Sequence, residues 1–511
     1  MFRVEGKPFN KIRSYFWPVH GHETMKLVPM LLIMFFVACN YSILLNLKDA
    51  LVITAEGSGA EVIPFIKLWV MLPAAIGATM LYAYTLNHLP RYTAFQLIIG
   101  AFLVYFLLFA LFIYPNRDAL SPTHFSDYLE SILPLGCKGL VAMVRNWTLT
   151  CFYVVSELWG TIVLQVLIWG FANEITKITE APRFYSVMVI VANIAAICAG
   201  QLAVFLSRSD LADPTTSMSS AAWEYSLIKI LLLIVGFGVA AIFTFRWMNF
   251  NVLSDPTLVP QEAERTKKKD KKRLSFRESI SFISRSKYLL SIAAIVIGYN
   301  LVINLVEVIW KDRLRLLYPS TADYNIYLNN LTSARGVIST VVSILMAGLI
   351  HKLGWTKTAL ITPIIMLLTS LAFFSCLFGD SLIAPLAISF LGMTPLALAV
   401  FFGSAQNCFS KAAKYSVFDA TKEMAFIPLP SDAKMKGKAA IDGIGSRMAK
   451  SGGAVIHSSL LLVFGTLPAC APTVALIIVG ISALWIMAVF TLGKEFALQT
   501  QAQPKEAEAV T

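Results

Sequence analysis

Hydrophobic residues fall into long runs along the chain, separated by shorter polar stretches. A helix that spans a membrane needs about 20 apolar residues, and the alternating pattern of membrane β-barrel strands is not evident here. The pattern therefore predicts an all-α membrane protein with twelve transmembrane helices. The predicted helices lie near 27–47, 62–84, 93–114, 146–171, 184–206, 226–248, 288–310, 333–350, 358–378, 382–403, 440–466 and 471–493.

The longest polar connection, residues 249–287, divides these runs into six and six. Transporters built from two six-helix halves bind their substrate between the halves. The connection contains "ERTKKKDKKRLSFRES", which we interpret as a solvated linker attracted to anionic lipid rather than a nucleic-acid-binding arm. The predicted domains are a cytoplasmic N-terminus at 1–25, a bundle at 26–248, the basic cytoplasmic linker at 249–287, a second bundle at 288–494 and a disordered cytoplasmic tail at 495–511.

The distribution of charge predicts the orientation in the membrane. Only 14% of the 511 residues are charged, compared with about 25% in soluble proteins, and the net charge is +12. Basic residues concentrate in the N-terminal stretch, after the eighth run and after the tenth run, where Lys411 begins a lysine-rich stretch. By the positive-inside rule, we expect both termini in the cytoplasm. The seven cysteines show no spacing typical of zinc ligands or disulfide frameworks, and we expect no metal and no cofactor.

Ionisable residues at membrane depth are the candidates for function, because their insertion costs a few kcal/mol. In "YNLVINLVEVIWK", the residues Asn300, Asn304, Glu307 and Lys311 share one helical stripe, which should face the protein interior. One interpretation is a local Glu307–Lys311 pair near the interface. The other is a role in binding substrate or an ion, or in gating.

Three other predicted helices contribute polar groups. Glu157 in "YVVSELWG" follows Tyr153 by one helical turn, and Asn193 lies in the fifth run. Lys67 follows Pro64 at the start of the second run, where it either snorkels to the interface or binds an anion.

The eleventh run opens with residues that suit a polyphosphate. Lys438, Asp442 and Lys450 share a stripe with Ser446, and Arg447 stands about 100° away on an ideal helix. Ammonium groups would bind phosphate as point charges and a guanidinium as a planar fork. A plain cytoplasmic helix end is the alternative.

No nucleotide-hydrolysing motif accompanies these charges, and we do not expect an enzyme. The residues themselves favour a secondary transporter for an anion, with Tyr153, Trp159, Phe184 and Tyr299 available to stack on a planar base. A membrane-embedded transferase and a channel are the other classes that we consider. The largest loop lacks the acid or metal cluster that a transferase needs, and the six-plus-six division with buried mixed charges favours a carrier.

Four long stretches resemble the nucleotide transporter (ATP/ADP translocase) family of plastids and obligate intracellular bacteria. They are "NYSILLNLKDALVITAEGSGAEVIPFIKLWVMLPAAI", "FYVVSELWGTIVLQVLIWGFANEIT", "YNLVINLVEVIWK" and "KYSVFDATKEMAFIPLPSDAKMKGKAAIDGIGSRMAKSGG". The resemblance implies a major-facilitator-like fold and a role in transport for Lys67, Glu157, Glu307 and Lys450. It also implies ATP/ADP antiport, with a proton-coupled nucleotide importer or a broader nucleotide exchanger as the alternatives.

The resemblance further implies the partners and the location of the chain. ATP and ADP, possibly with phosphate, would be the substrates, membrane lipid would surround the helices, and no nucleic acid would bind. We expect a monomer in the inner membrane of an intracellular bacterium, since no plastid transit peptide is evident. Lys67, Lys450 and Arg447 would bind phosphates from the two halves, while Glu157 and Glu307 would partner these cations in the empty carrier.

Overall fold

A computed structural model describes most of the chain. The described residues are 19–20, 23–177, 180–209, 220–254, 286–346, 352–379, 389, 392–438, 440–441 and 445–508. The predicted N-terminal stretch 1–25 and linker 249–287 therefore lie largely outside the described residues.

Among the described residues, twelve long helices correspond to the twelve predicted runs. Within the described residues, nine of them are long and apolar enough to cross a membrane, and α8, α10 and α11 complete the set. The helices are α1 Thr24–Ile53, α2 Val62–His88, α3 Arg91–Ile113, α4 Trp147–Ile175, α5 Ala181–Ser209, α6 Ser220–Asn251, α7 Lys287–Leu317, α8 Thr321–Met346, α9 Trp355–Phe378, α10 Pro395–Ala413, α11 Ser446–Phe464 and α12 Leu467–Glu508. We call α1–α6 the N half and α7–α12 the C half. The predicted fold class is confirmed.

Two predicted helix boundaries were wrong in ways that affect the site. Helix α8 begins at Thr321 rather than near 333, and α10 continues to Ala413 rather than ending near 403. The first part of the predicted tenth run, 382–388 and 390–391, lies outside the described residues. The polar start of α8 looked like a loop, but its Asn325 and Asn329 side chains are buried against the N half. A polar stretch can form a buried helix when another helix supplies its hydrogen-bond partners.

The described part of the C-terminal tail extends the last helix. Helix α12 continues to Glu508, through residues 495–508 that we expected to be disordered. This stretch is rich in Ala, Gln, Glu and Lys, which are strong helix formers even without an apolar face.

Helices α1 and α7 form the centre of the bundle. In their most apolar windows 67% and 72% of the residues are buried, compared with 28–56% for the other membrane-crossing helices described. Each is the first helix of its half, and each presents polar side chains to the other half. A helix with few lipid contacts can carry such residues without exposing them to hydrocarbon.

The halves are joined from the middle of the bundle to one end. We call the end where α1 finishes and α8 begins the distal end, and the opposite end the terminal end. The Asn46 amide donates to Asn329 Oδ1 at 2.9 Å and to Thr332 Oγ1 at 3.0 Å. Nearer the distal end, the hydroxyl oxygens of Thr54 and Thr321 are 2.7 Å apart. These contacts close the space between the halves on the distal side.

This closure predicts a crosslink. Sulfur atoms at the positions of the Thr54 and Thr321 hydroxyls would be close enough to form a disulfide. We expect the Thr54→Cys/Thr321→Cys variant to keep its halves covalently joined after trypsin cleaves the basic linker, as seen by non-reducing gel electrophoresis. Reductant should separate them.

A matched control is Thr54→Cys/Ser291→Cys, because Ser291 lies in the first turns of α7 at the terminal end. Equal joining in both variants would show that native cysteines, rather than this contact, produce the crosslink.

Candidate functional site

A chain of ion pairs crosses from one half to the other. Asp49 of α1 lies at its centre, with Oδ1 3.0 Å from Nζ of Lys48 and Oδ2 2.8 Å from Nζ of Lys311 on α7. Lys48 also pairs with Glu157 of α4 at 3.3 Å, and Lys311 pairs with Glu307 at 3.0 Å. We call Glu157–Lys48–Asp49–Lys311–Glu307 the ion-pair chain. It links α4 and α1 of the N half to α7 of the C half.

Burial is greatest at the middle of the ion-pair chain and smallest at its ends. The side chains of Lys48, Asp49 and Lys311 are only 3–6% exposed, whereas Glu157 is 37% and Glu307 is 22% exposed. The central pairs are therefore shielded from water, which strengthens their attraction. The two glutamates face the space between the halves, where a solute can reach them.

The predicted polar stripe of α7 lies inside the protein. Asn300 is buried, Asn304 accepts a hydrogen bond from Lys67 at 3.2 Å, and Glu307 contacts Lys311. The local Glu307–Lys311 pair that we considered is thus present. Lys311 also reaches across to Asp49, so the pair belongs to a contact between the halves.

Lys67 makes a second contact between the halves. It lies in Ile66–Met71, a π-helical segment of α2, and donates to the Asn304 side chain of α7. It also interacts electrostatically with Glu157 and Glu307. A π-helical turn places an extra residue in the helix and is frequent at functional sites.

Tyr153 is placed under a cation rather than beside an open space. Nζ of Lys48 lies 3.9 Å from the centre of its ring, which is fully buried. The other aromatic residues that we considered for stacking on a base, Trp159, Phe184 and Tyr299, are also buried in packing. In this structure Tyr153 supports Lys48 through a cation–π contact.

Other predicted site residues are not joined to the ion-pair chain by the described contacts. Lys438 pairs with Glu423, and the backbone carbonyl of Asn193 faces Gly336 where α5 packs on α8. Asp442 lies outside the described residues. Arg447 and Lys450 are in the first turns of α11, and their side chains lie outside the described part of the structure.

Two cations of the C half were missed by sequence reasoning. Arg335 lies inside α8 and Lys411 inside α10. We had placed Lys411 in a cytoplasmic loop and begun the eighth run at 333, because both helices were assigned the wrong ends. The signal that could have revealed them is a lone basic residue inside an apolar run, as for Arg335 in the run 333–350, or about two turns after one, as for Lys411 after the run 382–403.

The distal end has a cavity of its own, outside the Thr54–Thr321 contact. Its volume is about 720 Å³, and both threonines contribute to its wall. Arg117 and Arg145 also line it, but Arg117 pairs with Glu224 at 2.7 Å and Arg145 with Asp127 at 2.6 Å. This cavity resembles a vestibule that ends at the closed contact. Among the described residues, no group of three His, Cys, Asp or Glu could hold a metal ion.

Comparisons with known proteins agree with this architecture. The model of the family "TLC ATP/ADP transporter" matches residues 3–496. The chain is 42% identical to "ADP,ATP carrier protein 1" of Chlamydia pneumoniae, over 99% of this chain and 98% of that protein.

Solved structures show the same fold at low sequence identity. A bacterial homologue of the iron transporter ferroportin, in an inward-facing state, has a TM-score of 0.54 at 13% identity over 93% of this chain and 98% of its own. The xylose transporter XylE from E. coli, in an inward open conformation, has a TM-score of 0.53 at 12% identity, over 91% and 94% of the two chains. The fold is therefore major-facilitator-like.

The ion-pair chain predicts a large effect at its centre. The Asp49→Asn variant would leave Lys48 and Lys311 buried with one carboxylate each, and breaking a buried pair costs about 3–5 kcal/mol. We expect the midpoint of thermal unfolding in detergent to fall clearly.

The control is Asp118→Asn, since Asp118 is 88% exposed and its carboxylate lies 3.7 Å from Arg117. An exposed ion pair of this kind contributes little to stability. The unfolding midpoint of this variant should match the wild type. If Asp49→Asn also matched the wild type, the ion-pair chain would not stabilise this conformation.

Proposed function

Because the chain belongs to the TLC ATP/ADP transporter family, we propose that this multi-pass membrane transporter exchanges ATP for ADP. The observation that carries the proposal is the ion-pair chain, which ties the two halves together at the place where such transporters bind substrate. Its exposed glutamates and the nearby Lys67 form a polar lining between the halves. No chemical step on the nucleotide is part of this function.

Alternating access follows from competition for the cations. In the empty carrier, Glu157 and Glu307 hold Lys48 and Lys311, and Asn304 holds Lys67. A nucleotide phosphate would replace the neutral Asn304 as the partner of Lys67. A ligand shifts a conformational equilibrium only through different affinities for the two states, and such a replacement supplies that difference.

Obligate exchange has the same electrostatic origin. An empty carrier that reorients must separate Asp49 from Lys311, which are paired across the halves in a buried setting. Asp49 would keep only Lys48 and Lys311 only Glu307, and the loss of a buried ion pair, about 3–5 kcal/mol, would create a high barrier. A bound nucleotide would lower that barrier by offering phosphate oxygens to the lysine, so the carrier would return only when loaded.

The orientation and the moving units are part of the proposal. With both termini in the cytoplasm, the distal end faces outward, and this structure corresponds to an inward-facing state. Residues 26–248 and 288–494 are the two rigid bundles, and a monomer in the inner membrane of an intracellular bacterium is sufficient. ATP enters this cell and ADP leaves it, accompanied by phosphate, with membrane lipid around the helices.

Exchange can be tested in vesicles that contain the purified full chain. We expect uptake of labelled ATP to be many times faster into vesicles loaded with ADP than into empty vesicles. Equal uptake into both would contradict obligate exchange. Uptake that collapses with an uncoupler and ignores internal ADP would instead indicate a proton-coupled importer.

Lys67 is expected to contribute directly to ATP affinity. A hydrogen bond to a charged group contributes about 1.5–3 kcal/mol, so Lys67→Ala should weaken ATP binding by about tenfold or more. Binding can be measured by calorimetry on protein in detergent.

The matched control is Lys357→Ala, because Lys357 is exposed on α9. Unchanged affinity in a folded Lys67→Ala variant would remove Lys67 from the phosphate site.

A further inference from the structure

Two cations of the C half have no side-chain partner among the described residues, unlike Lys48, Lys67 and Lys311. Lys48, Lys67 and Lys311 each have a carboxylate or an amide oxygen within hydrogen-bond distance. The side chains of Arg335 on α8 and Lys411 on α10 make no hydrogen bond or ion pair with any residue that the structure describes. Both side chains are half-buried.

Arg335 and Lys411 lie on the neighbouring helices α8 and α10, which both run away from the distal end. The hydroxyl oxygens of Tyr327 on α8 and Ser404 on α10 are 2.6 Å apart. Arg335 follows Tyr327 by eight residues and Lys411 follows Ser404 by seven, so each cation lies about two turns further along its helix. Their electrostatic interaction agrees with this placement. Lys411 also acts on Glu307, at the end of the ion-pair chain. The two cations therefore share one region of the space between the halves.

Such a pair is unfavourable without a counter-ion. Arg335 lies near the middle of α8, and a charge at mid-membrane costs about 2.5–3.5 kcal/mol on insertion scales. The nearest carboxylate named by these interactions, Glu307, is already bound to Lys311 at 3.0 Å. An anion from solution would reduce the repulsion between the two cations and would supply the partner that both lack.

The shape of the two groups suits a phosphoryl anion. A guanidinium binds phosphate oxygens through two parallel N–H donors, and an ammonium adds a compact point charge. Two phenols are near: Tyr41 of α1 interacts electrostatically with both Arg335 and Tyr415, which follows α10. Tyr415 is 52% exposed.

The arginines of the distal cavity do not offer the same chemistry. Arg117 and Arg145 are each held by carboxylates at 2.6–2.9 Å, so an anion there would have to displace them. Among the described residues of the distal cavity and of the region between the halves, the cations without a partner lie between the halves.

We propose that Arg335 and Lys411 form the phosphate subsite of the C half, which binds a phosphoryl group of the nucleotide or a free phosphate ion. The subsite deepens the proposed function, since ATP/ADP exchange requires phosphate groups to bind between the halves. Lys67 would hold the phosphates from the N half, opposite Arg335 and Lys411. Glu307 would stay on Lys311, because phosphate at Lys411 repels its carboxylate.

The test compares the affinities of AMP, ADP and ATP by calorimetry, with Arg335→Gln, Lys411→Gln and the exposed-cation control Lys357→Gln. In the wild type and in the control, affinity should rise with the number of phosphates. In Arg335→Gln and Lys411→Gln, we expect the gain from AMP to ATP to shrink by about tenfold or more. Arg335→Lys should recover part of it. A general folding defect would lower all three affinities together.

Inorganic phosphate distinguishes the two sources of the phosphoryl group. Phosphate that binds the wild type together with AMP, but not Arg335→Gln, would identify a site open to the free ion. If free phosphate did not bind, and the increase in affinity from AMP to ATP still depended on Arg335, the subsite would bind only the phosphates of a nucleotide. If affinity increased from AMP to ATP as much in both Gln variants as in the wild type, the proposed subsite would be overturned.

Failure of the subsite and failure of ATP/ADP exchange are separable. Wild-type vesicles that exchange nucleotides, combined with Gln variants of normal phosphate preference, would reject only the subsite. Arg335-dependent binding of phosphate, combined with wild-type vesicles that do not exchange ATP for ADP, would reject only the proposed function.

Discussion

One carboxylate determines how the two halves of this transporter meet. Asp49 gives one oxygen to Lys48 on its own helix and the other to Lys311 on α7. Without it, each lysine would keep only a more exposed glutamate, Glu157 for Lys48 and Glu307 for Lys311, and breaking a buried ion pair is strongly unfavourable. The central position of α1 and α7 and the closure of the distal end are arranged around this shared group. The polar contacts of Asn46, Thr54 and Thr321 extend the same interface to the distal end.

The charges between the halves divide into two kinds. The ion-pair chain is satisfied within the protein, and in our proposal it holds the halves in one arrangement. Arg335 and Lys411 have no side-chain partner among the described residues, and in our proposal they bind the substrate. This division resolves the position of Glu307. It holds a lysine of the interface while it faces the region where phosphate would bind, so it can sense substrate without contacting it.

The sequence predicted the fold and part of the site because both depend on local pattern. Apolar runs predict helices, and the spacing of Asn300, Asn304 and Glu307 predicts their common face. The pairing of Asp49 with Lys311 could not be predicted, since it depends on how two helices that are distant in sequence pack. Arg335 and Lys411 were missed for a different reason. Hydrophobicity shows where a helix is apolar, not where it ends. Arg335 lies at the start of the apolar part of α8, and Lys411 lies where α10 continues past its apolar part.

The polarity of α8 has a consequence for how the protein is made. This helix carries Asn325, Asn329 and Arg335, and over its described residues, Thr321–Met346, it is not among the helices apolar enough to cross a membrane unaided. Its buried amides are satisfied by Asn46 and Ser207 of the N half. Insertion of α8 into the bilayer therefore depends on helices synthesised far earlier, and the N half acts as a template on which the C half is assembled during biosynthesis.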